Sequence, residues 1–284
     1  MVKWIIIAIL ILILIFCLIM VIDCNRFVVR NYTYSSDKVK KTTRFVMLSD
    51  LHSTKFGKDN IKLINKIKEL NPDGILIAGD MYTAERGTST YIAEQLVITL
   101  AKDYQIYYAN GNHELKTRER KDEFGNIYEE YQASLINNGV NILNNVNIYL
   151  KDSNINIFGL DLPFDYYKKF IKLKADKEFL NGLLGSPEDN EFNLVIAHNP
   201  EYFDDYAEWG ADLIVSGHYH GGLMRLPIVG GVISPRYKLF PKFDYGVYEK
   251  EGSKMILSCG LGTHTLPIRI FNPGEIALIT IQKC

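Results

Sequence analysis

Five of the six histidines in this 284-residue sequence stand in short polar clusters that follow apolar runs. They are His52, His113, His198, His218 and His220. Asp50, Asp80 and Asn112 stand in the same clusters. Imidazole, carboxylate and amide oxygen together suit Zn, Mn or Fe, and the clusters contain no cysteine of the kind that structural zinc sites use. The pattern therefore predicts a catalytic metal site.

The number of candidate ligands favours two metal ions over one. Seven of these eight side chains would already exceed the needs of one ion, and seven suffice for two if a carboxylate bridges them. Two ions about 3.5–4 Å apart form a clamp for in-line displacement at phosphorus, and a hydroxide held by both is a nucleophile near neutral pH. His218 and His220 are two residues apart, so on an extended strand both would point to one place. Gly79 and Gly111 would let backbone approach ions and substrate closely.

The elements that must position these residues alternate between strand and helix. Residues 58–70 carry apolar side chains close to the 3.6 period of a helix, and residues 90–101 are a second helix candidate. The apolar runs before the clusters are typical of buried strands, which predicts an α/β fold with its site at strand carboxyl ends. Residues 155–160, 254–259 and 275–282 also favour strands. Because no helix separates the last two, they predict a second, more antiparallel sheet.

The polar clusters resemble, in order, the five motifs of the calcineurin-like metallophosphoesterases. The matching stretches are Asp50-Leu51-His52, Gly79-Asp80, Gly111-Asn112-His113-Glu114, His198 and Gly217-His218-Tyr219-His220. Each motif is short, but all five in order are specific, and the resemblance covers about Arg44 to Cys284. The apolar N-terminus and the stretch Pro267-Ile268-Arg269-Ile270-Phe271-Asn272 are similar to the membrane-associated bacterial branch, which includes UDP-2,3-diacylglucosamine pyrophosphatases of lipid A synthesis.

The resemblance implies a four-layer α-β-β-α sandwich of two mixed sheets flanked by helices, and it implies two divalent metal ions. Three side chains would hold the first ion: Asp50, His52 and His220. Three others would hold the second: Asn112, His198 and His218. Asp80 would bridge the two ions. His113 would contact the phosphate and protonate the leaving oxygen as a general acid, and Glu114 would orient one of the motif residues.

The N-terminus differs in composition from the rest of the chain. Trp4 to Ile22 is 19 residues without a charge, long enough to span a bilayer as a helix. A cleavable signal peptide would have a shorter apolar region and an Ala-x-Ala-like site, which the segment lacks. The sequence therefore predicts a single-pass cell-membrane protein. Its parts would be an anchor at 1–22, a juxtamembrane segment with a candidate first strand at 23–43, and the phosphoesterase domain at 44–284.

The side of the membrane on which the domain lies stays open at this point. Only Lys3 precedes the apolar segment, and five basic residues follow it: Arg26, Arg30, Lys38, Lys40 and Lys41. The positive-inside rule would keep the domain in the cytoplasm, whereas a long domain after a short N-terminus can be translocated regardless of such charges. Both orientations are compatible with the sequence.

The substrate is less constrained than the chemistry. A net charge of −1 and a pI of about 6.6 give no sign of a polyanion-binding surface, so no nucleic-acid partner is expected, and no protein partner is predicted. Arg225, Arg236 and His264 follow the last metal motif and are candidate substrate-binding residues. A phosphodiester or pyrophosphate is the expected substrate, with lipid-linked esters such as UDP-diacylglucosamine among the candidates. A phosphomonoesterase acting on small molecules or phosphoproteins and a non-catalytic metal-binding module are the alternatives.

Overall fold

The helices of the protein are spread along most of the chain. The computed structural model describes residues 1–168, 173–222, 224–226, 230–233, 239–263 and 267–284. Within them the α-helices are α1 (Val2–Cys24), α2 (Ile61–Leu70), α3 (Tyr91–Ala101), α4 (Asn112–Glu119), α5 (Lys121–Phe124), α6 (Ile127–Asn137), α7 (Lys177–Leu184) and α8 (Phe203–Trp209). Three short 3₁₀ helices cover Lys58–Asn60, Phe164–Tyr167 and Pro200–Tyr202.

The first sheet has six strands and holds the N-terminal half of the domain. Its strands are β1 (Phe27–Ser36), β2 (Thr43–Leu48), β3 (Gly74–Ala78), β4 (Ile106–Ala109), β5 (Asn141–Ile142) and β14 (Gly274–Lys283). Their spatial order is β1-β14-β2-β3-β4-β5. β2 to β5 run parallel to one another, and β14 is antiparallel to β2 but parallel to β1. Because β1 belongs to this sheet, the folded domain follows the end of α1 almost at once.

The second sheet also has six strands, and its centre is parallel. Its strands are β6 (Val146–Leu150), β7 (Ile155–Leu160), β8 (Phe192–Ala197), β9 (Leu213–Ser216), β12 (Gly246–Lys250) and β13 (Ser253–Leu257). The spatial order is β12-β13-β9-β8-β7-β6, with antiparallel pairing only at the two edges. The second sheet is more antiparallel than the first, in which β14–β2 is the antiparallel pair, but its centre is parallel. The strand predicted at 275–282 is β14, and the loop before it carries the chain across to the first sheet.

Three apolar cores hold the two sheets and their helices in four layers. Alternate residues of one strand face different cores, as the pleat of a strand requires. Val46 and Leu48 of β2 pack with residues of α2 and α3, whereas Phe45 and Met47 pack with residues of the second sheet. A third core lies between the second sheet and the helices α7 and α8. Strands covered on both faces appear in the sequence as continuous apolar runs. The predicted α-β-β-α sandwich is confirmed.

The helix α1 is the one described helix that is long and apolar enough to cross a membrane. Its last residues nevertheless contact the domain, since Asp23 is buried there. A small ribbon of two antiparallel strands, β10 (Met224–Leu226) and β11 (Gly230–Ile233), follows the last polar cluster and lies apart from both sheets.

Candidate metal centre

The carboxyl ends of parallel strands in both sheets place the predicted ligands. Asp50 and His52 follow β2, and Asp80 follows β3. Asn112 follows β4, and His198 follows β8 directly. Because parallel strands end at the same edge of a sheet, these polar turns gather where open α/β sheets form their sites.

Six of the seven predicted metal ligands meet in three overlapping groups. The groups are Asp50–His52–His220, His52–Asp80–His113 and Asp80–His198–His218, and within each the ligand atoms lie within 4.8 Å of one another. Asp80 belongs to two groups, as a carboxylate shared by two ions would. His113, predicted to act on substrate rather than to bind metal, lies in the same group as Asp80.

The carboxylate of Asp80 is surrounded by imidazoles. Its Oδ2 lies 3.1 Å from Nε2 of His198, 3.9 Å from that of His52 and 4.0 Å from that of His113. Burial alone would raise the pKa of Asp80, but the neighbouring histidines outweigh it and hold that pKa well below its usual range. Burial would likewise lower the pKa of His198, but the Asp80 carboxylate outweighs it and raises that pKa to about 9. The pocket thus gathers strong negative charge at a point that a cation would share.

The other side of the centre is built around Asp50. Its Oδ1 lies 3.5 Å from Nε2 of His220 and accepts the backbone N–H of His218 at 3.0 Å. Nε2 of His52 faces Nε2 of His220 at 3.3 Å. Two ring nitrogens this close favour a cation or a shared proton between them.

The far nitrogens of the histidine rings bind groups outside the centre. Nδ1 of His198 lies 2.6 Å from the carbonyl of Ala78, and Nδ1 of His220 lies 3.3 Å from that of Gly262. A carbonyl only accepts, so Nδ1 of each ring carries a proton, and Nε2 is the atom that faces the centre and would exchange any proton it carries for a cation. Metal-binding histidines are commonly fixed in this way.

Two buried oxygen atoms at the centre reach no hydrogen-bond partner among the described residues. They are Oδ2 of Asp50 and Oδ1 of Asn112. A buried acceptor without a partner costs free energy, about 1–3 kcal/mol each, unless a ligand satisfies it. Together with the imidazole and carboxylate donors, these atoms fit divalent cations with borderline preference for nitrogen and oxygen.

The backbone at the centre is held in an uncommon conformation. Five of the candidate ligands have left-handed φ values, from 47° to 75°: Asp50, His52, Asp80, His218 and His220. Such residues cost of order 1–3 kcal/mol each and persist at functional sites. The last two lie in the turn after β9, so the expectation that they extend a strand and point to one place is wrong. His220 joins the Asp50 group, and His218 joins the His198 group.

Glu114 fixes two of the ligand turns from behind. Its Oε2 accepts the backbone N–H of Asp80 at 2.9 Å and that of Gly111 at 3.0 Å. Its Oε1 accepts the N–H of Met81 at 2.9 Å and the hydroxyl of Tyr108 at 2.7 Å. Burial, together with the Asp80 charge, raises the pKa of Glu114 to about 7. The arrangement supports the orienting role that the motif implied.

Two glycines let these turns approach each other. A Cβ on Gly79 would lie 2.1 Å from the backbone nitrogen of Gly111, and a Cβ on Gly111 would lie 2.2 Å from Oδ1 of Asp80. Contacts this short are not found for real side chains. Both positions therefore require glycine for the close backbone approach that the sequence suggested.

The predicted substrate-binding residues are only partly described. Arg225 is half-buried, pairs with Asp244 at 2.8 Å and lies 3.9 Å above the ring centre of Tyr245. Its Nη1 also donates to the carbonyl of Gly221 at 3.3 Å, next to the ligand turn. Arg236 and His264 lie outside the described residues. A substrate-binding role for all three stays a prediction.

Sequence reasoning missed two residues beside the centre. The Tyr167 ring lies 5.5 Å from the His218 ring and 6.1 Å from the His198 ring, between centroids, and forms a wall of the pocket. Asn272 donates to the carbonyls of His220 and Gly222, both at 2.7 Å. Neither stands in a polar cluster after a strand; the stretch that ends at Asn272 pointed to a branch of the family but not to the metal centre.

The family model described as Calcineurin-like phosphoesterase matches residues 43–222, more than half of the chain. That segment includes all seven predicted metal ligands and His113. The chain therefore belongs to the calcineurin-like phosphoesterase family, and it is a metal-dependent phosphoester hydrolase.

Relatives in several bacteria carry the same domain. The uncharacterized metallophosphoesterase Cj0846 of Campylobacter jejuni is 29% identical over 252 residues, covering 86% of this chain and 60% of that protein. The uncharacterized metallophosphoesterase YkuE of Bacillus subtilis is 27% identical over 250 residues, covering 84% and 79%. The UDP-2,3-diacylglucosamine pyrophosphatase LpxG of Chlamydia muridarum is 24% identical over 284 residues, covering 83% and 82%. This chain thus spans less than two thirds of the first of these relatives.

Proposed function

We propose that the protein is a membrane-anchored phosphodiesterase or pyrophosphatase that uses two divalent metal ions. The observation that carries the proposal is Asp80, which shares one ligand group with His198 and His218 and another with His52, itself a member of the Asp50 group. Asp50, His52 and His220 would hold one ion; Asn112, His198 and His218 would hold the other. Two ions bound there supply a nucleophile near neutral pH and positive charge for the phosphoryl oxygens.

His113 would act on the substrate rather than on the ions. Its Nδ1 accepts the backbone N–H of Ala84 at 2.8 Å, which assigns the ring proton to Nε2. Nε2 lies 4.0 Å from Oδ2 of Asp80, on the side of the metal centre. We propose that this N–H donates to a phosphoryl oxygen. Protonation of the leaving oxygen, the role that the motif implied, would need a second proton on Nδ1 and the loss of its bond to Ala84.

The substrate we propose is a lipid-linked or membrane-proximal phosphodiester or pyrophosphate. The apolar helix α1 supports this, because the domain follows it directly. Asn272 binds both the end of α1 and the turn of His220, so the metal centre lies on the anchored side of the domain. The relative named UDP-2,3-diacylglucosamine pyrophosphatase supports a UDP-lipid as the first substrate to test.

The test uses the full-length chain in detergent or nanodiscs. Metal is removed with a chelator, and Mn²⁺, Zn²⁺ or Fe²⁺ is added back stepwise while hydrolysis of an aryl phosphodiester and of the matching monoester is followed. The expected result is activity that saturates near two ions per chain, with the diester preferred, because two ions clamp an in-line displacement. A UDP-lipid pyrophosphate is then assayed in the same nanodiscs.

Two results would change the proposal. A clear preference for the monoester would make the protein a phosphomonoesterase. Tight binding of two ions without hydrolysis of any substrate would favour the non-catalytic binding module.

A further inference from the structure

One face of α1 packs against the domain over its last two turns. Phe16, Ile19 and Met20 are half-buried, and Asp23 is 2% exposed, at the spacing of a single helix face. The carboxylate of Asp23 accepts the backbone N–H of Asn272 at 3.0 Å. The helix is therefore fixed to the loop around residue 272 and does not hang from a flexible linker.

The contact reaches well into the apolar part of the helix. The ring of Phe16 lies 6.3 Å from that of Phe271, edge to face. At 1.5 Å per residue, Trp4–Ile22 spans about 28 Å, which matches a hydrocarbon core of about 30 Å. If the bilayer stopped before Phe16, the helix would have only about 18 Å inside it, too short to span. The loop of Phe271 therefore has to share the membrane with α1.

The loop that contains Ile270 and Phe271 is joined to the β10–β11 ribbon by backbone pairing. Met224 bridges Ile270 on one side and pairs with Ile233 on the other, and Ile233 bridges Leu239. Four apolar residues thus form one row across neighbouring strands. Strands lie about 4.8 Å apart, so the row extends about 14 Å away from α1.

Arg225 of the ribbon contacts the domain, where it pairs with Asp244 and covers the ring of Tyr245. The pairing of β10 with β11 shifts register between Met224 and Arg225, so these two side chains do not follow a simple alternation. Met224, Leu226 and Ile233 are each half-buried, and Met224 and Ile233 belong to the apolar row.

Bulky apolar residues at the two ends of the row are exposed. Phe271 is 44% exposed, Leu239 66% and Phe240 64%. Both phenylalanines have left-handed φ, 54° and 47°, which is rare for a bulky residue. Strained residues persist at functional sites, and contiguous exposed apolar side chains mark interaction surfaces.

We infer that the apolar residues of this row and at its two ends form a second membrane contact, which enters the lipid interface beside α1. The seating surface consists of Met224, Ile233, Leu239, Phe240, Ile270 and Phe271. Its partner is the acyl-chain and headgroup boundary of a bilayer, where aromatic and aliphatic side chains insert by about 5–10 Å. This inference rests on the proposed anchoring by α1.

The seating surface is connected to the metal centre through the chain and through Asn272. Its first residue, Met224, follows the ligand His220 by four positions, and Asn272 joins the turn of His220 to the loop of Phe271. The domain is therefore held with this ligand turn at the lipid surface. A lipid-linked phosphate would reach the centre without leaving the bilayer.

Tryptophan fluorescence in vesicles tests the inference without using activity. The full-length chain is reconstituted in phosphatidylcholine–phosphatidylglycerol vesicles with or without lipids brominated on the acyl chains. Phe271→Trp and Phe240→Trp are each made in a Trp4→Phe background, in which Trp209 remains as a constant signal because it is 1% exposed in the core. Tyr149→Trp is the matched control.

The control position has similar exposure but lies far from the anchor. Tyr149 is 40% exposed and bonds Asn154, whose side chain binds the backbone of Lys38 beyond the far end of β1. The strand β1 places that end about 30 Å from α1. We expect tryptophan at 271 and 240 to lose at least about half of its emission in brominated vesicles, since both would lie within reach of the acyl chains. Tyr149→Trp should lose none.

The native Trp4 separates the two ways in which the inference can fail. If Trp4 of the unmodified chain is quenched while positions 271 and 240 behave like position 149, α1 lies in the bilayer and the seating surface does not. If Trp4 is not quenched either, the anchoring by α1 fails, and the seating surface fails with it. Neither result affects the phosphoesterase chemistry of the metal centre.

Discussion

The carboxylate of Asp23, next to the last residue of α1, accepts the backbone N–H of Asn272 at 3.0 Å. The side chain of Asn272 donates to the carbonyls of His220 and Gly222, both at 2.7 Å. One asparagine thus ties the end of the apolar helix to a turn that carries a metal ligand. A displacement of the end of α1 would therefore reach this ligand turn through Asn272.

Replacing Asn272 by Ala should weaken metal binding. The substitution removes the two hydrogen bonds that Asn272 donates to the turn of His220, and partners that orient a ligand are worth about 10–100-fold in metal affinity. Metal affinity of the full-length chain, measured by competition with a chromophoric chelator, should fall by about tenfold at the weaker site.

The matched control for this change is Asn138→Ala. Asn138 donates to the carbonyl of Ser134 at 2.8 Å but lies exposed at the end of α6. Its loss should leave metal affinity unchanged. Equal affinities for the Asn272 and Asn138 variants would show that the turn of His220 does not depend on the loop of Asn272.

Asp80→Asn should abolish hydrolysis and preserve the fold. Asn tolerates the left-handed backbone found here, and its Oδ1 can still accept the N–H of His113, as Oδ1 of Asp80 does at 2.8 Å. The charge that two ions would share is lost, so turnover should fall by more than the roughly 100-fold that outer-sphere changes reach. Turnover and the circular dichroism spectrum check both parts.

The same amide substitution at an exposed aspartate provides the control. Asp165 pairs only with Lys168 among the ion pairs of the described residues, and it is largely exposed. Asp165→Asn should keep full activity. Substantial turnover in Asp80→Asn would show that Asp80 does not bridge the ions.

Glu114→Gln should loosen the centre and destabilise the domain. The carboxylate accepts four hydrogen bonds, whereas an amide has one accepting oxygen and presents N–H groups to the remaining donors. Leaving buried donors unpaired costs about 1–3 kcal/mol each. We expect a loss of about 3 kcal/mol in unfolding free energy and a fall of about tenfold or more in metal affinity.

Glu178→Gln, on the exposed side of α7, is the control for this change. Denaturant unfolding of the metal-free chain measures the stability change, and chelator competition measures the affinity change. A Glu114 variant as stable and as tight-binding as the Glu178 variant would rule out the orienting role.

Ligand types and positions could be predicted because the signal is local. A buried parallel strand is a continuous apolar run, and its carboxyl end is marked by the first polar residues that follow. Asp50, Asp80 and His198 stand at such ends. The pairing of β2 with β3 brings Asp50 and Asp80 together, and the packing of the two sheets brings His198 to Asp80. The imidazole and carboxylate groups at these positions then indicate which metal ions the site can bind.

The remaining features depend on packing between distant segments. No helical pattern separates β13 from β14 in the sequence, yet the two strands lie in different sheets. The turn after β9 is strained, so the spacing of His218 and His220 does not reveal that they face different groups. Asn272 reaches His220 from 52 positions away, and only tertiary structure brings them into contact.

We expect His113 to donate a hydrogen bond and not to act as an acid. Because Nδ1 accepts the N–H of Ala84 at 2.8 Å, the one ring proton lies on Nε2. Nε2 can donate that proton in a hydrogen bond, but the neutral ring has no second proton to transfer. His113→Asn, whose amide is too short to reach the same point, should lose about 100-fold in turnover, as the loss of a transition-state donor does. His113→Gln places an amide N–H near the position of Nε2 and should recover part of that loss.

The two variants are compared on diesters with aryl and alkyl leaving groups. We expect each variant to lose the same factor on both substrates. A loss that grows with the pKa of the leaving group, and no gain from Gln over Asn, would instead establish His113 as the general acid that protonates the leaving oxygen.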